Sequence, residues 1–356
     1  MLYQQPILIM KMMNKINRDN HYVPQMYLKQ WAIDNRIKEY RLLVPHEGMH
    51  MWSNPGLSHV AVQKDLYVRV ADNEELDDFE IDFNRLIETP ATKLLRALCN
   101  GERLTPEEWI IMNDYIMAQY LRTPAFYLKS HDLFQKATET ALNEMTFDFN
   151  VSAEKRIQKT NTKENTLLPA DIKLSKGVPD VKHATLEINT IVGKNSWLMA
   201  IYNSLNSISD IRTTFRKLKW SIVTCHSNYE WPTSDNPFTV INQNGFTEFN
   251  NGLKNRQNVF VFPISPSIVL MSKPVGRFDW RIDANEQQTK SIIQKIVNNA
   301  YLYIYAKHED KYLPSLRPRT VDLELFNKIH SMFENWYSNY KEQEGPYLHS
   351  IHGKII

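Results

Sequence analysis

The sequence predicts an α+β protein in which a central helical bundle packs with a small, mostly antiparallel sheet. From Glu74 to about residue 146 the apolar side chains recur with helical period, whereas after Leu218 they fall in short runs bounded by Pro, Asn and Gly. Helices and strands gathered in separate blocks are the pattern of α+β chains, and the lack of an internal repeat argues against a solenoid.

Each element follows from its own residues. Asn17-Arg18-Asp19-Asn20 is turn-like, and Pro24 opens a short helix over 24–33 that carries Met26, Tyr27 and Trp31. The runs 36–44 and 65–70 place β-branched and aromatic residues among charged ones, so both read as half-buried strands, separated by the turn Ser53-Asn54-Pro55-Gly56. In the helical block Phe79, Phe83, Leu86 and Ile87 share one face, which Leu94, Leu95 and Leu98 continue after an expected break at Pro90. Thr105-Pro106-Glu107-Glu108 is a capping box with proline at the first helical position, ahead of Trp109, Met112, Ile116 and Tyr120. Pro124 should end or kink that helix, with a second helical stretch following to about Met145.

Residues 150–181, rich in Lys, Asn, Thr and Glu and poor in aromatics, read as a polar insertion or mobile loop. A helix is expected around 183–215, then strands at 218–225, 238–241, 259–263 and 267–271. Helices at about 285–300 and 320–342 flank a strand at 301–306, and residues 17–345 form one compact domain between terminal segments 1–16 and 346–356.

Composition excludes several classes. The 356 residues can bury a substantial core, and 42 basic against 40 acidic residues leave a net charge of +2, so no global field marks a nucleic-acid or membrane-surface protein, although a local basic patch stays open. Cys99 and Cys225 alone fit a reducing, cytoplasmic setting and rule out a disulfide framework. Lys11 interrupts the apolar stretch near the start, so no signal peptide is expected, and no run approaches membrane-spanning length.

Three segments stand out together. They are Asn20-His21-Tyr22-Val23-Pro24-Gln25-Met26-Tyr27-Leu28, Gln119-Tyr120-Leu121-Arg122-Thr123-Pro124 and Trp231-Pro232-Thr233-Ser234-Asp235-Asn236-Pro237-Phe238. The set resembles the hallmark segments of the domain of unknown function 4238 family: an HYVPQ-x-YL start, an R-T-P helix end and a T-S-D-N-P turn. The resemblance runs from His21 to the last helices and implies bacterial and phage-associated relatives, with phage defence as the role to expect. It carries no established activity.

Read by residue type, the same segments offer chemistry. His21 suits a general base or metal ligand, and equally a helix cap. Asp235-Asn236-Pro237 is a turn that also mounts polar groups at a strand end. Gln119 and Arg122 share a helix face, as do Glu80, Asn84 and Glu88, so opposed helices could form an interior Arg–Glu network or an anion site beside carboxylates. The sharper expectation is a phosphodiester hydrolase, nuclease-like and assisted by a divalent metal such as Mg or Mn. In it His21, Glu80, Glu88 and Asp235 are the ligands, and His21, Arg122, Asp235 and Asn236 the catalytic groups. Its partner would be nucleic acid. The alternative is a non-catalytic module that recognises a protein partner and uses these segments for fold integrity.

Other matches are set aside. His46-Glu47-Gly48-Met49-His50 has the zinc-protease spacing but lies between Pro45 and a turn, not on a helix. Arg41 and His46 flank a strand-like run, and Asp171-Ile172-Lys173 falls in the polar insertion with no strand expected. His349 and His352 belong to a loose tail. No glycine-rich phosphate loop or nucleophile elbow is present, and the aromatic residues read by default as core.

Overall fold

A computed structural model describes residues 16–71, 74–131, 170–175, 185–190, 193–206, 209–241 and 253–343, and shows a mixed α+β chain. Two sheets organise it. The strand-like runs after Leu218 build the larger, in the order Thr239–Ile241, Val259–Pro263, Ile268–Ser272, Ser221–Thr224 and Arg281–Asp283, antiparallel except for the last pair. The smaller sheet joins distant segments: Thr233–Ser234, Tyr303–Ala306, Lys38–Arg41 and Trp52–Ser53, with Tyr303 opposite Arg41.

The capping box forms as expected, with Thr105 and Glu108 bonding each other's backbone amides at the start of the Pro106–Leu121 helix. Every residue of this helix from Met112 to Leu121 is buried, which a helix achieves only when other elements surround it. Those elements include the helices Thr89–Cys99, Lys194–Asn206 and Asp210–Arg216. The largest core cluster runs through this region and takes in Trp31, Tyr67, Tyr115, Trp197 and Phe262. A second cluster packs Tyr40, Val269 and Ile304 of the sheets, together with Trp231, with the Glu286–Asn299 helix. Each fully buried Leu, Ile or Phe in such a cluster contributes about 2 kcal/mol.

Four expectations need correction. Pro90 does not break its helix: Asp78–Asp82 continues through Phe83–Glu88 into Thr89–Cys99. The Phe83–Glu88 stretch is wound as a π-helix, and this wider turn takes up the missing amide and the ring of Pro90 where α winding would set the ring against the carbonyl four residues back. Residues 65–68 are not a strand either. Asp65 adopts a left-handed φ of 54° and Leu66, Tyr67 and Val68 are all fully buried, so the apparent alternation never faces solvent. The strands here are instead Val62–Lys64, paired with Asp19–His21, and Arg69–Ala71.

The start of the helix expected around 183–215 is a strand, Thr185–Thr190, paired with Ala170–Ser175 before the helices begin at Lys194. Asp171-Ile172-Lys173 therefore does lie on a strand. The rest of the 150–181 insertion, most of the expected helix after His131, and His349 and His352 lie outside the described residues. Among the described residues no helix is long and apolar enough to cross a membrane.

Candidate functional site

The three hallmark segments meet. Arg122, at the C-cap of the Pro106–Leu121 helix, is fully buried. Its Nη1 donates to Glu88 Oε1 at 2.5 Å, its Nη2 to the His21 carbonyl, and its Nε to the Tyr67 hydroxyl at 3.1 Å. The guanidinium also lies 4.8 Å from the centre of the Phe83 ring. Burial opposes its charge, but Tyr67, Glu88 and Glu80 together raise its pKa, so Arg122 remains a cation.

The neighbouring Thr123 hydroxyl donates to Asn236 Oδ1 at 3.5 Å. Tyr27 donates to the Pro263 carbonyl at 2.7 Å and lies 2.7 Å from the Thr233 hydroxyl, while Trp31 Nε1 donates to the Trp231 carbonyl at 2.7 Å. The start, helix-end and turn segments thus interlock through side-chain hydrogen bonds.

The predicted catalytic groups are engaged in that lock. Asp235 is buried and accepts the amides of Tyr301 at 2.8 Å, Leu302 at 2.6 Å and Tyr303 at 3.2 Å. Burial pushes its carboxyl up to about 6 against the lowering effect of those amides. Asn236 donates to the Asn299 carbonyl at 3.0 Å, and Asn299 returns bonds to the carbonyls of Asn236 and Phe238. His21 sits with its ring nitrogen 3.1 Å from the Gln25 amide, and burial, then the Arg122 charge, lower its pKa.

Glu80 lies in the field of Arg122 and Glu88, and burial pushes it up to about 7. Its Oε2, the Tyr115 hydroxyl and both polar atoms of the Gln119 amide are buried without a hydrogen-bond partner among the described residues. So His21, Arg122 and Glu88 come into direct contact, with Glu80 close by. Asp235 and Asn236 instead bind the 299–303 segment. Among the described residues no three His, Cys, Asp or Glu side chains gather as a metal set, which departs from the ligand grouping expected for His21, Glu80, Glu88 and Asp235. The zinc-protease spacing at His46–His50 falls in an exposed turn whose carbonyls accept from Arg319.

The open chemistry lies at the other end of the same helix. A cleft of about 640 Å³ is lined by Trp109, Trp220, Phe278 and Trp280. Trp109 comes from the first turns of the Pro106–Leu121 helix and meets Trp280 edge to face, with ring centres 6.3 Å apart. Trp220 is fixed from the same helix, since its Nε1 donates to Asn113 Oδ1 at 2.6 Å while Asn113 donates to the Leu218 carbonyl at 3.4 Å. Trp280 is tied to the larger sheet through its carbonyl, which accepts from Ile222 at 2.8 Å.

Cations ring these aromatics. Lys217, Lys219 and Arg277 line the cleft, and among the described residues none has a carboxylate partner. Arg103 stands 5.6 Å from the Trp280 ring centre and Lys273 4.7 Å from that of Phe278. Arg216 is held by Asp114, and Asp279 is the one carboxylate among the described lining residues. Sequence reasoning passed over this cleft by assigning the aromatics to the core. The interleaving was nevertheless there to read in Lys217-Leu218-Lys219-Trp220 and Arg277-Phe278-Asp279-Trp280-Arg281.

A family profile described as a protein of unknown function, DUF4238, matches residues 19–310. That span holds all three hallmark segments and the whole cleft, and ends before the Leu323–Glu334 helix. No curated protein and no solved structure matches the chain.

Proposed function

Because the chain belongs to the DUF4238 family, whose description brings no activity with it, we propose from geometry that the protein recognises single-stranded nucleic acid. The observation that carries this is the pairing of Trp109 and Trp280 at one open cleft with cations that have no carboxylate partner among the described residues. Bases stack on aromatic faces while Lys and Arg neutralise the phosphates that follow them, and neither contact needs a base edge. In this proposal the central helical bundle is the scaffold that mounts Trp109, the interlocked hallmark segments hold that scaffold, and the cytoplasm is the setting. Recognition is favoured over cutting because the residues expected to catalyse are occupied by one another and by backbone amides.

The test is fluorescence anisotropy of labelled single-stranded DNA and RNA, with matched duplexes as controls. Expected is binding of single strands that weakens steeply with salt and weakens further in Trp280→Ala. Absence of single-strand binding by the folded wild type overturns the proposal.

A second proposal, hydrolysis of phosphodiester bonds, keeps one observation of its own: Glu80, held near neutral pH by burial, lies beside Arg122, as a general acid–base group lies beside an anion-stabilising cation. Cleavage of the same oligonucleotides with Mg²⁺ or Mn²⁺, lost in a folded Glu80→Gln variant, would favour it.

A further inference from the structure

A second cavity, away from the aromatic cleft, has the chemistry of a small-molecule site. It measures about 660 Å³, within the range of about 300–1,000 Å³ in which drug-sized ligands are held. Its floor is Tyr22, Leu43, Val62, Leu302 and Tyr303. The hallmark segments position this floor: Asp235 grips the amides of Leu302 and Tyr303, and Asp19–His21 pairs with Val62–Lys64.

The roof is the Leu323–Glu334 helix, whose Phe326, Ile329 and Phe333 face the cavity. None of its residues is fully buried, although both of its ends are anchored. At one end Thr320–Val321 pairs with Leu43–Val44, and Asp322 caps the Leu325 amide at 2.8 Å. At the other, Gln63 donates to the Phe333 carbonyl at 2.7 Å. An amphipathic helix tied at both ends over apolar walls, yet burying none of its own side chains completely, leaves apolar surface for something else to cover.

Charge selects the occupant. Arg41 and Lys64 line the same space. Arg41 Nε is bonded to Glu39 Oε1 at 3.1 Å, which leaves its terminal nitrogens, and Lys64 has no carboxylate partner among the described residues. The one carboxylate among the described lining residues, Glu334, is turned to His330 at 3.2 Å. We propose that this cavity binds a small amphiphilic anion, its apolar chain or ring between the aromatic walls and the helix, and its acidic head at Arg41 and Lys64.

Titration calorimetry on the full chain tests this with decanoate as probe, and decanol and decyltrimethylammonium as neutral and cationic controls. Expected is saturable one-to-one binding of decanoate, roughly tenfold weaker in Lys64→Ala and in Arg41→Ala, as loss of a charge-assisted contact dictates. Ile329→Trp, which fills the cavity from the roof, should abolish binding. Circular dichroism and thermal melting check that each variant is folded. No decanoate binding by the wild type, equal binding of the cationic control, or unchanged binding in the folded lysine and arginine variants overturns the proposal. Single-strand binding at the tryptophan cleft is independent of all these outcomes.

Discussion

Glu88 and Arg122, 34 residues apart, form a 2.5 Å ion pair in which the guanidinium is fully buried and the carboxylate partly so. Glu88 closes the π-wound stretch Phe83–Glu88, and it and Glu80 both lie in the field of this one arginine. Removing one partner strands the other charge in a low-dielectric interior. Glu88→Gln should therefore cost about 3 kcal/mol in urea unfolding, and Arg122→Met combined with Glu88→Leu should cost clearly less than the sum of the two single changes. Additive losses would show that the pair is not coupled.

How much of this was legible in the sequence depends on the range of the signal. The capping box at Thr105 and the helix end before Pro124 are local and formed as read, with Thr123 accepting from the Phe126 amide at 3.2 Å where the next helix begins. Residue types alone suggested that His21, Glu80, Glu88 and Asp235 would converge on one cleft. What they could not convey was accessibility: Arg122 is consumed by its partners, and Asp235 by three amides that come from residues 66–68 positions further along. The π turn was invisible because periodicity arguments assume 3.6 residues per turn throughout. The tryptophan cleft was missed for a different reason, since a Trp on a core face and a Trp at a cleft carry the same local pattern.

The Glu80 carboxyl gives stability a pH dependence whose sign is fixed. Burial raises it from 4.5 to about 7 in the folded chain, so the folded state binds more protons than the unfolded one between those values. Its contribution is complete below the lower value and is lost as pH rises through the upper. Glu80→Gln lacks this loss, so its stability relative to wild type should increase by roughly 3 kcal/mol between about pH 4 and about pH 8. Parallel urea titrations at the two pH values measure it, and a difference that does not change with pH would remove the assignment.

At the other end of the same helix the capping box supplies a control on the local reading. Thr105→Ala removes the acceptor for the Glu108 amide and should cost about 1 kcal/mol, while Thr105→Ser, which keeps the oxygen, should cost little. Equal losses in the two variants would mean that the threonine methyl group, and not the cap, carries the stability.

Stacking and charge at the cleft make separable contributions to single-strand binding. Trp280→Ala removes a ring face without changing charge, and one base–aromatic stack is worth about 1–3 kcal/mol, so affinity should fall by about 5- to 150-fold at every salt concentration. The slope of log affinity against log salt should stay as in wild type, because the number of phosphates neutralised is unchanged. Lys219→Ala is the converse case: it removes one cation that has no carboxylate partner among the described residues, so the slope should become shallower by about one while base preference is unaffected. Anisotropy titrations over a range of salt concentrations read both quantities from the same data. If Trp280→Ala changed the slope as well, the ring would be holding Arg103 in place for phosphate contact rather than stacking on a base, since that guanidinium lies 5.6 Å from the ring centre. Arg103→Ala would then reproduce the Trp280→Ala slope and separate the two roles.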